Sequence, residues 1–398
     1  MNNPDHLYNV NLMPIEPILF TDNRSARAGE DHLIQDQDPS PHTIYGAIGA
    51  CVAGMYGVEV DEKQWEPVAS KYLGKFAGNI RDGDPARSEL LGYHYQDPDG
   101  HFWFPRPQHI RLRQPGKEKI WIAAAGRIEK LESELTAASL ETFERFLNYE
   151  ADDKECELPD LFSLDLLKDC LCGNIQVTEL TPDSDRLPLE HLYRHENRLG
   201  LGMDYERNQT LTGRLFSRPY RRYSAQVDSN GNWSGMSIRA YFKTTAPLES
   251  ERIKNRRIAL LGGDRGRAIA EFESAAGEKP LLEICREVQQ AAEDSDGFYL
   301  YLLTPAVREG DWPLIKGVKP LAAAIGKDHA VSGWNSNRQG QHPRPIRRLL
   351  PAGSVLFYPW PEGKPDPQLI HEYWLEPLTY QKGEHYRNSG FGRLLIGV

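Results

Sequence analysis

The chain has 398 residues, enough for roughly two to three domains and a sizeable core. A formal net charge of −10, with 47 Lys and Arg against 57 Asp and Glu, excludes a uniformly basic coat for nucleic acid. A mean hydropathy of −0.59, with no apolar run near the ~18 residues of a membrane span, excludes an α-helical membrane protein. Met1 to Leu12 is polar and lacks an apolar signal region, so no secretory signal is expected. The five cysteines (Cys51, Cys156, Cys170, Cys172, Cys285) are odd in number and scattered, and Cys170-Leu171-Cys172 is too closely spaced for a zinc pair. A reduced, cytoplasmic chain without metal or cofactor is the expectation.

In chain order, Pro14 to Phe20 predicts a first strand and Thr21 to Pro41 a loop carrying Arg24 and Arg27. Thr43 reads as the N-cap of a helix over 44–56. That helix is rich in small residues (Gly46, Ala47, Gly49, Ala50, Ala53, Gly54), which suits either close packing on a sheet or a phosphate at its N-terminus. Residues 75–115 read as an insertion of short strands. Arg127 to Tyr149 predicts an acidic helix, 150–160 an acidic connector, and Phe162 to Cys172 a short helix. His191 and His195 read as positions on a surface helix rather than a metal pair. Strands are predicted over 237–242, 258–261, 268–272, 298–303, 355–358 and the closing 394–396, with a helix over 279–293. Strands and helices mix without a βαβ repeat, so the fold class expected is α+β.

Charge is unevenly placed. Glu129 to Asp160 holds eleven acids and three bases, whereas Arg207 to Val227 holds five arginines and Ala330 to Pro361 four, both without an acid. The guanidinium fork binds oxyanions in pairs, so arginine-only segments suit phosphate contacts as well as a solvated face. Gly262 to Gly266 lacks the G-K-[ST] ending of a nucleotide P-loop, and neither G-x-S-x-G nor H-E-x-x-H occurs. What recurs is glycine beside arginine and aromatics: Tyr45-Gly46, Gly213-Arg214-Leu215-Phe216, Gly263-Asp264-Arg265, Ser332-Gly333-Trp334, Gly390-Phe391-Gly392-Arg393. Single-stranded RNA is held by parts of this kind.

An ordered set of segments carries a family likeness: Glu16 to Phe20, Pro41 to Ala50 (P-H-T-I-Y-G-A-I-G-A), Gly202 to Phe216, Leu261 to Arg267, Tyr301 to Ala306 (Y-L-L-T-P-A), Ser332 to Trp334, Pro345 to Arg348, Pro351 to Val355 (P-A-G-S-V) and the closing G-F-G-R-L-L-I-G. In this order they resemble subunit 3 of the Cmr effector module of type III-B CRISPR systems, a RAMP protein. Gly49 stands where that family often has an arginine, and residues 125–200 match none of its segments.

The resemblance implies two ferredoxin-like, RRM-related domains. These are expected over 1–275, with insertions near 75–115 and 125–200, and over 276–398. It also implies a non-catalytic subunit for antiviral defence. Its expected partners are the 5′ handle of the guide RNA (crRNA), the large polymerase-like subunit and the backbone RAMP subunits, with no membrane and no small-molecule substrate. The expected RNA-binding residues are Arg24, Arg27, Thr43, Tyr45, Gly46, Arg214, Arg218, Arg221, Arg222, Gly262, Gly263, Arg265, Arg347, Arg348, Asn388, Ser389, Gly390, Phe391, Gly392 and Arg393. Two alternatives stand beside it. One is a metal-independent guide-processing endoribonuclease, for which His32, His42, His342 and His385 lie near candidate RNA segments. The other is a protein-only scaffold.

Overall fold

In strand β1 (His6–Pro14), Tyr8, Val10 and Leu12 face inward and are buried. The computed structural model describes residues 6–21, 36–57, 88–113, 121–125, 127–130, 145–148, 160–175, 177–180, 185–204, 206–207, 209–227, 233–245, 247–275, 280–308, 310–327, 329–331, 334–335, 342–343, 346–378 and 384–398. In chain order follow α1 (Pro41–Met55), β2 (Ser88–Gln96), β3 (Phe102–Pro105), β4 (Asp160–Ser163), α2 (Leu164–Leu171) and β5 (Arg186–Pro188). Then come the long strands β6 (Tyr193–Asp204) and β7 (Gln209–Tyr223), followed by β8 (Ser237–Thr244), β9 (Arg257–Leu261) and β10 (Gly266–Ser274). The large sheet is antiparallel, in the order β5-β4-β3-β2-β8-β1-β10-β9. Helix α1 covers one face and buries Ile44, Ile48 and Val52 completely, each contributing roughly 1.5–3 kcal/mol.

The second half contains α3 (Pro280–Ala291), β11 (Gly297–Leu302), β12 (Ala306–Val307), β13 (Ala322–Ala324), β14 (His329–Val331), β15 (Arg347–Leu350), β16 (Val355–Pro359), α4 (Pro367–Tyr373), α5 (Glu384–Asn388) and β17 (Leu394–Gly397). Its main sheet runs β13-β16-β11-β17, again antiparallel, and β12-β15-β14 form a smaller one. The two main sheets share an order. Numbered in chain order, four adjacent strands of the eight-stranded sheet, β1, β2, β8 and β10, correspond to the four strands β11, β13, β16 and β17 of the other. In space both lie second-third-first-fourth. The mixed, mostly antiparallel α+β class is therefore as the sequence implies.

The halves meet along β2. Gly390 lies so close to it that an added Cβ would sit 2.8 Å from Leu90, and one at Gly92 would sit 2.6 Å from Leu303. Glycine at both points leaves room for the leucine side chain that packs on it from the other half. The Tyr299 and Tyr301 hydroxyls cross the junction to donate to the carbonyls of Cys170 and Pro105, each at 2.6 Å.

Several expectations are corrected. The first strand is 6–14, not 14–20; Ile18 and Leu19 make only isolated bridges, to Arg221 and Gly263. Ser40, not Thr43, caps α1, its hydroxyl accepting from Thr43 N at 3.3 Å. Residues 88–96 are no insertion, because β2 pairs along its length with β8 inside the sheet. The helix expected over 127–149 is at its ends a β-hairpin, Arg127–Lys130 against Arg145–Asn148. His191 lies in a four-residue helix (Leu189–Leu192) and His195 on β6, so they share no helical face. Ser332-Gly333 lies outside the described residues. Among the described residues no helix is long and apolar enough to cross a membrane.

Candidate nucleic-acid interface

Strands β6 and β7 form a two-stranded sheet, from Tyr193↔Tyr223 out to Asp204↔Gln209, tied to the rest of the described residues by the bridge from Arg221 to Ile18. Alternation gives this hairpin two unlike faces. On one, Arg194 lies directly opposite Arg222, Glu196 opposite Tyr220, and Arg198 opposite Arg218. Facing like charges cost stability on a bare hairpin. Glu196 offsets part of that cost, taking Arg198 Nε at 2.8 Å and Arg222 Nε at 2.7 Å, and these two arginines hold its carboxyl below the usual range. Arg198 also lies 4.5 Å over the Tyr220 ring. Arg194 is exposed and has no acidic partner among the described residues. The other face is apolar towards its outer end, with Leu199 72% and Leu201 57% exposed.

At the base of this arginine face sits the β9–β10 turn. Gly266 N donates to Gly263 O at 3.3 Å, and the two central residues, Asp264 and Arg265, have φ of 54° and 55°. Two successive left-handed residues make the type I′ geometry that suits a tight hairpin, usually with Asn-Gly at these positions. Asp264 is pinned: Arg218 Nη1 reaches its Oδ2 at 2.5 Å and the Tyr220 hydroxyl donates to the same oxygen. Burial works to raise its pKa, but Tyr220 and Arg218 hold the carboxyl below the usual range. Arg265 projects into solvent with no acidic partner among the described residues. Arg265→Gly is expected to leave thermal stability unchanged or raise it by up to ~1 kcal/mol, because glycine meets no Cβ penalty at this φ. Thermal unfolding checks this, and the variant then isolates the side chain's contribution to binding.

Other expected contact residues are turned inward. Arg221 is 3% exposed, and its Nε donates to both oxygens of Asp36 at 2.8 and 2.9 Å while Nη1 reaches Asp38 at 2.8 Å. Its guanidinium lies 4.3 Å over the Tyr193 ring. Burial works against its charge, but Asp38 and the surrounding tyrosines hold the pKa well above the ordinary value. Arg221 thus fastens the hairpin to the segment leading into α1. Gly262 and Gly263 lie against Ile18 and Leu19, and the Gly263 N–H is taken by Leu19 O at 2.8 Å, so that donor is committed within the chain. Tyr45 is buried with its hydroxyl 2.6 Å from Ser88 Oγ, and burial pushes its pKa up to about 12.

The closing glycine loop is internal as well. Gly390 N, Phe391 N and Gly392 N donate to the carbonyls of Arg387, Tyr386 and Pro305 at 3.1, 3.1 and 2.8 Å. Arg393 N donates to Thr304 Oγ1 at 2.9 Å. Ser389 is buried, with its hydroxyl on Tyr386 O. Phe391 is fully buried, edge-on to His42 at 4.8 Å and to Tyr386 at 5.5 Å. The Arg393 side chain is fully buried on Glu89, and Asn388 is half-buried at the end of α5. These residues build the junction between the halves instead of an RNA-facing loop.

Arg348 is exposed on β15 beside half-buried Arg347, next to Arg308, whose guanidinium lies 5.2 Å over the Trp312 ring. Thr43 and Gly46 are half-buried on α1, and a Cβ at Gly46 would meet nothing within 4 Å. Arg214 lies on β7. Arg24, Arg27 and His32 lie outside the described residues. Arg194 and Arg198 were not anticipated. Their signal was the period-two spacing Arg194-x-Glu196-x-Arg198, which reads as one face of a strand.

The fold and this face define an antiparallel α+β protein carrying an arginine-faced, two-stranded arm. The family model for the CRISPR-associated protein Cas_Cmr3 matches residues 10–398, and the chain belongs to that family. Among solved structures it is similar to a chain in the cryo-EM structure of the type III-B Cmr-beta bound to cognate target RNA. There the identity is 13% and the TM-score 0.48, covering 97% of this chain and 96% of that one. The corresponding state with AMPPnP gives 13% identity and a TM-score of 0.47, covering 97% and 95%. The apo state gives 12% and 0.30, covering 68% and 98%. No curated protein matches.

Proposed function

We propose that this chain is a non-catalytic RNA-binding subunit of a type III-B Cmr effector complex. In this reading it holds the 5′ repeat-derived handle of the guide RNA beside the large polymerase-like subunit and the backbone subunits. The observation that carries it is the hairpin face on which Arg194 opposes Arg222 and Arg198 opposes Arg218, with Arg265 at its base. An arrangement that costs the isolated chain stability is relieved when phosphates sit between the charges. Arg348 and Arg308 supply a second basic patch, and Arg24, Arg27, Arg214, Thr43 and Gly46 belong to the same proposal. Arg221, Tyr45, Gly262, Gly263 and the 389–393 loop support it from inside the protein. The shared second-third-first-fourth strand order supports reading the halves, 1–275 and 276–398, as two ferredoxin-like domains.

Combining Arg194→Gln, Arg222→Gln and Arg265→Gly tests the reading. These side chains are exposed, so folding is expected to be kept. Affinity for guide RNA carrying its handle is expected to fall, and the slope of log affinity against log salt to flatten by about 2, as three lost phosphate contacts on a single strand imply. Gel-shift titration at several salt concentrations measures both. Unchanged affinity and slope would sink the reading. Incubating the chain with precursor RNA in EDTA tests the absence of catalysis, and clean cleavage would favour the endoribonuclease.

A further inference from the structure

We propose that the open edge of the large sheet, strand β9, takes an added strand from a partner protein. The strand it fits is an extended segment with apolar residues at alternate positions and acidic residues at both ends. The proposal rests on the chain acting as a Cmr subunit. Strand β9 has one neighbour, β10, in unbroken antiparallel register from Arg257↔Ala270 to Leu261↔Gly266.

That register fixes where the main-chain groups point. Arg267 accepts from Ile15 N at 3.1 Å, and its own N–H donates to Glu16 Oε1 at 2.8 Å, both on the β1 side. Alternation therefore turns Gly266, Ala268 and Ala270 towards β9, onto Leu261, Ala259 and Arg257. Ile258 and Leu260 are left with N–H and C=O facing the open edge and no partner strand among the described residues. Their side chains are exposed too, at 58% and 51%, whereas Ala259 and Leu261 are buried in the core that includes α1.

Sheet edges are ordinarily guarded by a bulge, a proline or an inward-pointing charge; β9 carries one inward-turned arginine, Arg257, at its start, and positions 258–261 have none of these guards. Charge complementarity names the occupant. Exposed Lys254 and Arg256 stand at one end and exposed Arg265 and Arg267 at the other. The nearby acids are committed, Glu271 to Arg256 and Glu16 to Arg267. Lys254 and Arg265 have no acidic partner among the described residues. An RNA strand suits the edge poorly, because the open carbonyls repel phosphate oxygens and two branched aliphatic side chains offer it no polar group. A protein strand satisfies both the main-chain groups and the alternating apolar ones.

The test uses the assembled complex with guide RNA. A photo-crosslinking residue placed at position 260 is expected to attach to an extended, acid-flanked segment of another protein subunit. Attachment to RNA or to a second copy of this chain, or none, overturns the proposal. Ile258→Pro removes an outward N–H where an edge strand tolerates proline. Ile258→Thr with Leu260→Thr keeps strand propensity and removes the apolar contact. Both variants are expected to weaken retention of that subunit by roughly tenfold or more. Should proline unfold the chain, the double threonine variant decides. Full retention by a folded variant overturns the proposal. Guide-RNA binding by the free chain is read in parallel, and its loss in the unaltered protein would instead remove the functional reading.

Discussion

Glu89→Gln is expected to cost about 3–5 kcal/mol of folding stability, because it leaves the Arg393 charge buried and unpaired. The Arg393 Nη2 reaches Glu89 Oε1 at 2.5 Å and the Arg387 carbonyl at 2.8 Å, and Nη1 reaches the Leu375 carbonyl at 2.9 Å. Burial works to raise the Glu89 pKa, but Arg393 and Lys243 hold it below the usual range. Burial lowers the Arg393 pKa, but a guanidinium stays protonated in a protein, so the pair is charged on both sides at neutral pH. By linkage its contribution is present above the ordinary carboxylate pKa and is lost as pH falls through the lowered one. Glu89 belongs to β2 of the first half and Arg393 to the loop before β17, so this ion pair fastens the two halves. Urea unfolding of Glu89→Gln measures the loss. The double variant Glu89→Leu, Arg393→Met is expected to recover part of it, since the buried charge is gone but the Leu375 and Arg387 carbonyls stay unpaired. A loss below about 1 kcal/mol in the single variant would show that the latch does not hold the junction.

The same residue marks the limit of what the sequence could reveal. Gly390-Phe391-Gly392-Arg393 has the composition of a phosphate loop, and nothing local distinguishes that from a packed junction. The deciding partner, Glu89, is 304 positions away, and the Asp36 that fastens Arg221 is 185 away. Burial of an arginine depends on such distant acids, which periodicity does not report. Continuous apolar runs were legible: Gly297–Leu302, Val355–Pro359 and Leu394–Gly397 are strands as the sequence implies, since buried central strands need no alternation. The helix over 164–171 was legible too, its Ser163 hydroxyl accepting from Leu166 N at 3.3 Å as a cap should. The hairpin of 127–130 and 145–148 was not, because Glu, Leu and Ala between its arms favour a helix and tertiary pairing overrides propensity. Of the candidate site, Arg218, Arg222 and Arg265 were legible as exposed or half-exposed arginines. Their arrangement was not, because facing pairs exist only once β6 and β7 are in register.

Acidification from pH 7.5 to pH 5 is expected to remove about 4 kcal/mol of stability through two buried histidines, before the carboxylate pairs are touched. His94 is 2% exposed, and both of its ring nitrogens are buried without a hydrogen-bond partner among the described residues. It stacks on Phe104 at 4.7 Å, edges Phe102 at 4.9 Å and lies 5.4 Å from Tyr241. Burial, helped by Arg239, lowers its pKa to about 3. His109, packed on Tyr299 and Phe357, is likewise lowered to about 3 by burial and by Arg106. The folded state thus keeps both rings neutral, while the unfolded chain takes up protons below about pH 6.5. Stability is complete above that value and falls as pH drops towards 3, by roughly 1.4 kcal/mol per unit for each ring. Near pH 5 that amounts to about 2 kcal/mol apiece. His94→Phe separates this from any change in packing. Whatever offset it introduces at pH 7.5, its stability is expected to fall less steeply, by about one proton between pH 6 and 4, so that its difference from the unaltered protein shifts in its favour by roughly 2 kcal/mol between pH 7.5 and pH 5. Urea midpoints across that range measure the slope. An identical pH dependence in the variant would mean that His94 is not held neutral in the fold.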